Sequence, residues 1–146
     1  MQTVELTEQN IAVTIAERIE RSETRVCITV FPSITNHHDT LFGGKALAIM
    51  DEVSFMTATR FCRKRLVTVS TDKIDFTKAI PAGSIVEAVG RVQKVGNTSV
   101  KVQVQIFLES MYDDGRELAI QGTFTFVALD DNKKPMPVLQ GLDITS

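Results

Sequence analysis

The chain has 146 residues, 43 % of them hydrophobic and 23 % charged, with a formal net charge of −2. That length suits one domain with a real core and is short for two, no apolar run reaches the roughly 18 residues of a membrane helix, and the mild acidic balance argues against bulk nucleic-acid binding. The opening MQTVELTEQN also lacks the basic and apolar regions of a secretory signal, so the expectation is a cytoplasmic protein acting on a small ligand, with neither nucleic acid nor membrane as partner.

In chain order, Ile11, Ile15 and Ile19 recur at spacing four among Glu8, Glu17 and Glu20, the pattern of a short amphipathic helix or ordered arm. From Arg25 to Phe31 the pattern turns to alternation, with Val26, Ile28 and Val30 against Cys27 and Thr29, which predicts a strand. Cys27 and Cys62 stand outside any paired motif and read as buried or half-buried thiols.

Residues 43 to 62, GGKALAIMDEVSFMTATRFC, hold no proline and no glycine after the opening pair and are rich in Ala, Leu and Met, so a long helix begins at the glycines. Four β-rich runs follow, roughly 66–78, 84–95, 98–109 and 117–129, broken by Pro81-Ala82-Gly83, Gly96-Asn97 and Asp113-Asp114-Gly115. Connections this short join antiparallel neighbours. The tail from Lys133 reads as irregular. The fold class expected is α+β, an antiparallel β-sheet wrapped around one long central α-helix.

At about 100° per residue, Leu47, Met50, Ser54, Ala58 and Phe61 share a helix face that should meet the sheet, and Asp51, one turn after Leu47, falls on the same stripe while Glu52 turns aside. Burying an unpaired carboxylate costs several kcal/mol, so Asp51 needs a partner, a groove edge or a chemical role. Gly43 and Gly44 open the helix, where the first backbone N–H groups lack intrahelical acceptors and the dipole is positive, and without side chains they let a substrate oxygen approach. Asp51 lies two turns on, about 10 Å by helical rise. Donors for a developing oxyanion and a carboxylate, from this chain or a symmetry mate, make a constellation for hydrolysis by acid/base or nucleophilic chemistry.

The stretches NHHDTLFGGKALAIMDEV, VTVSTDKIDFTKAI and KVGNTSVKVQVQIF, in this order, resemble the hotdog-fold acyl-coenzyme A thioesterases of the bacterial acyl-CoA hydrolase branch, over roughly residues 25–130. The resemblance implies a single hotdog domain, obligate homodimers with shared active sites, often trimers of dimers (hexamers), and an acyl-CoA thioester as substrate with no further cofactor. It implies that Asp51 is the catalytic carboxylate, general base or nucleophile, that the Gly43 and Gly44 amides polarise the thioester carbonyl, and that Asn36 positions substrate or water. It further implies that Thr68 or Ser70 on the following strand orients the water. Asp39 stands where many relatives carry glycine, and Phe42 where some carry histidine.

His37, His38 and Asp39 are read as loop residues beside this site. Adjacent side chains diverge and no third histidine completes a metal centre, so no metal is expected. For the coenzyme A phosphates the candidates are Lys73 and Lys78, Arg91 and Lys94, and the turn Gly96-Asn97-Thr98-Ser99. Arg60 and Arg63, in a basic run with Lys64 and Arg65, serve either as cations against the helix dipole or as phosphate contacts. Two other functions compete with hydrolysis: a non-catalytic acyl-CoA-binding sensor, and a hotdog dehydratase or hydratase, which ordinarily needs a histidine absent here from the helix and later strands.

Overall fold

The computed structural model describes residues 12–145; Ile11 and Glu8 of the expected N-terminal helix lie outside them. The described part of that helix, α1, spans Ile15–Ser22. Thr14 starts it by accepting the Glu17 N–H at 3.0 Å, and Ile15 and Ile19 pack against the core. Before it, β1 (Val13–Thr14) pairs in parallel with β7 (Ile144–Thr145), so the tail that reads as irregular returns to the start of the described chain.

The remaining elements are β2 (Thr24–Thr29), a 3-10 turn (Pro32–Ile34), α2 (Gly43–Cys62), β3 (Arg65–Phe76), β4 (Ile85–Val95), β5 (Ser99–Glu109) and β6 (Glu117–Leu129). They match the predicted helix and strands to within two residues at each end. The sheet order is β2-β4-β5-β6-β3, with every pairing antiparallel. The β4-β5-β6 meander forms the middle, and the chain crosses by way of α2 to place β3 at the edge opposite β2.

Alternation along β5 sets the layers: Val100, Val102, Val104 and Ile106 point inward and are fully buried, while Lys101, Gln103 and Gln105 face out. The inward residues meet Met50, Val53, Ala58 and Phe61 of α2 in one hydrophobic cluster. The approach is tight at Gly90 of β4, where an added Cβ would lie 2.4 Å from Thr57 Oγ1 and 3.0 Å from Val53 Cγ1. Only glycine fits there without moving the helix. Of the hydroxyls buried in α2, Ser54 donates to Asp51 O at 2.9 Å and Thr57 to Val53 O at 2.8 Å, whereas Thr59 Oγ1 has no partner among the described residues.

The buried face of α2 differs from the expected one. Met50, Ser54, Ala58 and Phe61 are buried as anticipated, but the stripe is completed by Ala46, Val53 and Thr57, and Leu47 is 39 % exposed. Asp51 therefore lies on an exposed flank of the helix rather than against the sheet. The two thiols also part company: Cys62 is buried, and burial pushes its thiol above the ordinary value, whereas Cys27 is exposed on β2. No helix among the described residues is long and apolar enough to cross a membrane.

Candidate active site

The loop 36–42 is organised by Asn36. Its side-chain oxygen accepts from the His38 N–H at 2.9 Å, the Thr40 N–H at 3.3 Å and the Thr40 hydroxyl at 3.1 Å. Two of these partners are backbone donors, which fixes the orientation of the amide: the oxygen is spent on the loop, and Nδ2 is the group left to offer. His37 and His38 stack at 3.9 Å between ring centroids on the exposed loop. The adjacent side chains therefore lie together rather than diverging as the sequence suggests, and they belong to no group of three or more metal-ligating side chains among the described residues.

The loop delivers the chain into α2 at Phe42, which gives the helix no side-chain cap. Ala46 is the first residue whose N–H returns to the turn, bonding to Phe42 O at 3.0 Å. The Gly43, Gly44 and Lys45 N–H groups thus have no intrahelical acceptor, and the positive end of a 20-residue helix lies open. The two glycines differ in surroundings. A Cβ on Gly44 would meet the Phe42 ring at 2.7 Å, whereas a Cβ on Gly43 would meet nothing within 4 Å, so the side-chain direction at Gly43 is open.

Asp51 sits seven residues beyond Gly44, about 10 Å along the axis. The Thr68 hydroxyl donates to Asp51 Oδ1 at 3.3 Å, tying the carboxylate to the start of β3. Of the two hydroxyl candidates on this strand, Thr68 joins Asp51 and Ser70 does not. A β-bulge at Val69 shifts the register, so that Thr68 pairs with inward Phe126, Thr71 with inward Phe124, and Ser70 with outward Thr125. Cross-strand partners share a face, and the extra residue turns Ser70 to the outer side of the sheet.

The surroundings of Asp51 are apolar and uncovered. Leu47 and Phe55, one turn to either side, are 39 % and 44 % exposed, and Val69 and Phe76 on β3 are 52 % and 53 % exposed, while Val67 pairs with outward Val127 on the other face of the sheet. β3 is an edge strand of 12 residues whose outer side has no neighbour among the described residues. Exposed apolar side chains beside a carboxylate, with more along a free strand edge, have the composition of an interface. Cavities of about 590 Å³, between residues 81–84 and the 108–117 hairpin, and about 280 Å³, on the outer sheet face, include neither Asp51 nor the glycines. The space around Asp51 is not a closed chamber in one chain.

The cations expected to meet coenzyme A are dispersed. Lys78 pairs with Glu117 at 2.7 Å and Arg91 with Glu23 at 3.0 Å, so both are already engaged. Lys73, in the left-handed conformation at a second irregularity of β3, lines the outer polar groove with Asp72, Asp75, Lys101 and Gln103. Lys94 is exposed on β4. The turn 96–99 is anchored: Gly96 N–H donates to Ser99 O at 2.8 Å, and the Asn97 and Thr98 carbonyls accept from Val138 and Ala128. Those contacts give it a structural role in holding the C-terminal segment. Arg60 and Arg63 lie at the far end of α2 with Arg18 and Arg21, a grouping the sequence did not announce.

Comparison with known proteins agrees with this architecture. Residues 38–113 match the Thioesterase superfamily. The uncharacterized acyl-CoA thioester hydrolase YkhA of Bacillus subtilis is 41 % identical over 128 residues, which cover 82 % of this chain and 74 % of the relative. Among solved structures, the acyl-CoA hydrolase of Staphylococcus aureus, in complex with butyryl coenzyme A, coenzyme A and coenzyme A disulfide, is 39 % identical with a TM-score of 0.78, covering 82 % of this chain and 73 % of that one. The same hydrolase has been solved with one aspartate, one threonine and one asparagine each replaced by alanine. An apo-hexameric acyl-CoA thioesterase is 37 % identical with a TM-score of 0.78, covering 82 % of this chain and 76 % of that one. With its sheet wrapped around α2, the free N-terminus of that helix and the sequence match across both, this chain has the hotdog fold and belongs to the thioesterase superfamily.

Proposed function

We propose that the protein hydrolyses acyl-CoA thioesters to a free carboxylic acid and coenzyme A. The observation that carries this reading is the pairing of Asp51 with Thr68 on an apolar, uncovered flank, two helical turns from an uncapped N-terminus at Gly43-Gly44. A carbonyl carbon cannot lie about 3 Å from both groups when they are about 10 Å apart on one helix. A second copy resolves this: with the β3 edges paired in a homodimer, Asp51 of one subunit faces the Gly43 and Gly44 amides of the other.

In that site the glycine N–H groups hold the thioester oxygen, and Asn36 Nδ2 supplies a further donor. Asp51 takes a proton from water as the water oxygen bonds to the carbonyl carbon, and the negative charge that develops on the carbonyl oxygen stays at the helix end. The carbon–sulfur bond then breaks, and the proton held by Asp51 passes to the departing thiolate. Thr68 fixes the carboxylate's orientation. Attack by Asp51 itself through a mixed anhydride uses the same groups. Lys73 and Lys94, which have no carboxylate partner among the described residues, are the proposed contacts for coenzyme A phosphates.

The residue pattern supports the assignment. The positions replaced by alanine in the Staphylococcus aureus hydrolase are an asparagine, an aspartate 15 residues later and a threonine 17 beyond that, and Asn36, Asp51 and Thr68 repeat that spacing. Assembly of three dimers into a hexamer is part of the same proposal, in line with the hexameric neighbour.

The test is release of free thiol from short, long and aromatic acyl-CoA thioesters by the wild-type protein. Turnover of at least one is expected; binding of the thioesters with no thiol released would replace hydrolysis by the sensor reading. A second expectation concerns the helix end. In Gly43→Leu a bulky side chain enters the open direction beside the amide, so turnover should fall by about 10²- to 10³-fold, the effect of losing one oxyanion donor. The midpoint of thermal unfolding should hold, because leucine is the better helix former. Loss of folding instead would give Gly43 a purely structural role.

A further inference from the structure

α1 and the end of α2 bring four arginines around one cavity of about 260 Å³, lined by Arg18, Arg21, Arg60 and Arg63. They form two pairs at spacing three, Arg18 and Arg21 on α1 and Arg60 with the capping Arg63 at the end of α2, and all four line the cavity. The other four arginines of the chain each have a carboxylate: Arg25 has Glu23 and Glu87, Arg65 has Asp131, Arg91 has Glu23, and Arg116 has Glu87. Among the described residues the four in the cavity have none.

Part of the cluster caps helix ends, and that part is accounted for. Arg60 donates to Glu23 O at 3.0 Å, Thr24 Oγ1 at 2.9 Å and Arg21 O at 3.1 Å, and Arg18 Nε donates to Phe61 O. These bonds hold two guanidinia rigidly while leaving Nη donors of Arg18 and Nε of Arg60 unspent. Arg21 and Arg63 have no bonded partner among the described side chains. Arg63 also closes α2 in the left-handed conformation, φ 52°, a place helices ordinarily give to glycine.

The two helix C-termini offset only about half a charge each, so about three of the four positive charges remain uncompensated. Burial first, and then the charge of Arg21, lower the Arg18 guanidinium from its ordinary value. Planar donors lining one small cavity, two of the four held by hydrogen bonds, match the oxygens of a phosphate group bidentately.

We propose that this four-arginine cavity is a binding site for a phosphate group of a small phosphorylated molecule. It lies about 13 Å or more along α2 from Asp51, so the group it holds is not the one that reacts. The proposal stands apart from the hydrolase reading, because its test needs no turnover.

The test is calorimetric titration with inorganic pyrophosphate at low ionic strength. Wild type is expected to bind, and the double variant Arg21→Gln, Arg63→Gly to lose at least about tenfold in affinity. Neither side chain bonds elsewhere among the described residues, the backbone bonds of both positions are kept, and glycine suits position 63, so the variant should fold. The control Lys133→Gln, Lys134→Gln removes the same charge elsewhere and should bind as wild type does. Repeating the wild-type titration in saturating coenzyme A separates the sources: competition assigns the site to a phosphate of coenzyme A, and undiminished binding assigns it to a separate phosphorylated molecule. No binding by wild type, or equal weakening in the control variant, would overturn the proposal.

Discussion

Replacing Asp51 by asparagine should lower turnover of acyl-CoA thioesters by about 10²- to 10⁴-fold, the span expected for removing a positioned general base, and by more if the carboxylate is the nucleophile. The substitution keeps shape and retains an oxygen for the Thr68 hydroxyl, 3.3 Å away in the native protein. Asp51 is exposed in the single chain and carries no packing, so stability should stay within about 0.5 kcal/mol of wild type. The contrast between lost rate and kept stability separates chemistry from structure. Thiol release followed alongside thermal unfolding reads both, and turnover within a few-fold of wild type in a folded Asp51→Asn protein removes Asp51 from the mechanism.

Introducing lysine at Val69 is expected to split the proposed homodimer and silence it. Val69 stands 52 % exposed at the bulge of a free edge strand, between the carboxylate site and Phe76. If a second copy covers β3, an ammonium there must be buried without a partner at a cost of several kcal/mol, and each 1.4 kcal/mol weakens association about tenfold. Lysine on an edge strand is also how proteins block strand-to-strand pairing. Light scattering after size exclusion should give monomer mass with an unchanged circular dichroism spectrum, and thiol release should vanish with the dimer. A Val69→Lys protein that stays dimeric, or a monomer that still turns over, would move the interface away from β3 or the site into one chain.

Particular residues decide how much of this was legible in the sequence. The helix over 43–62 is visible because the Gly-Gly opening and the Ala-, Leu- and Met-rich run agree, and the meander because turn residues punctuate β-branched alternation. Asp51 is visible because a carboxylate stands near an apolar stripe. Its exposure is not: periodicity gives the spacing of a stripe, and two adjacent stripes on α2, one buried on the sheet and one carrying Leu47, Asp51 and Phe55, look alike until the sheet is in place. Ser70 and Thr68 are equivalent under strict alternation, and the bulge at Val69 that parts them leaves no local signature. β1 and β7 are two-residue strands at opposite ends of the described chain, too short for any pattern. The four arginines meet only because α1 docks beside the end of α2.

If each site joins Asp51 of one subunit to the Gly43 and Gly44 amides of the other, two inactive variants should complement each other in one dimer. Asp51→Asn and Gly43→Leu are each expected to be nearly inactive alone. Co-expressed with separate tags and purified as the mixed dimer, they form one site with both lesions and one with neither, because a two-fold interface makes every contact twice. Thiol release by the mixed dimer at about half the wild-type rate is the expected result, and a mixed dimer as inactive as its parents would contradict the shared site.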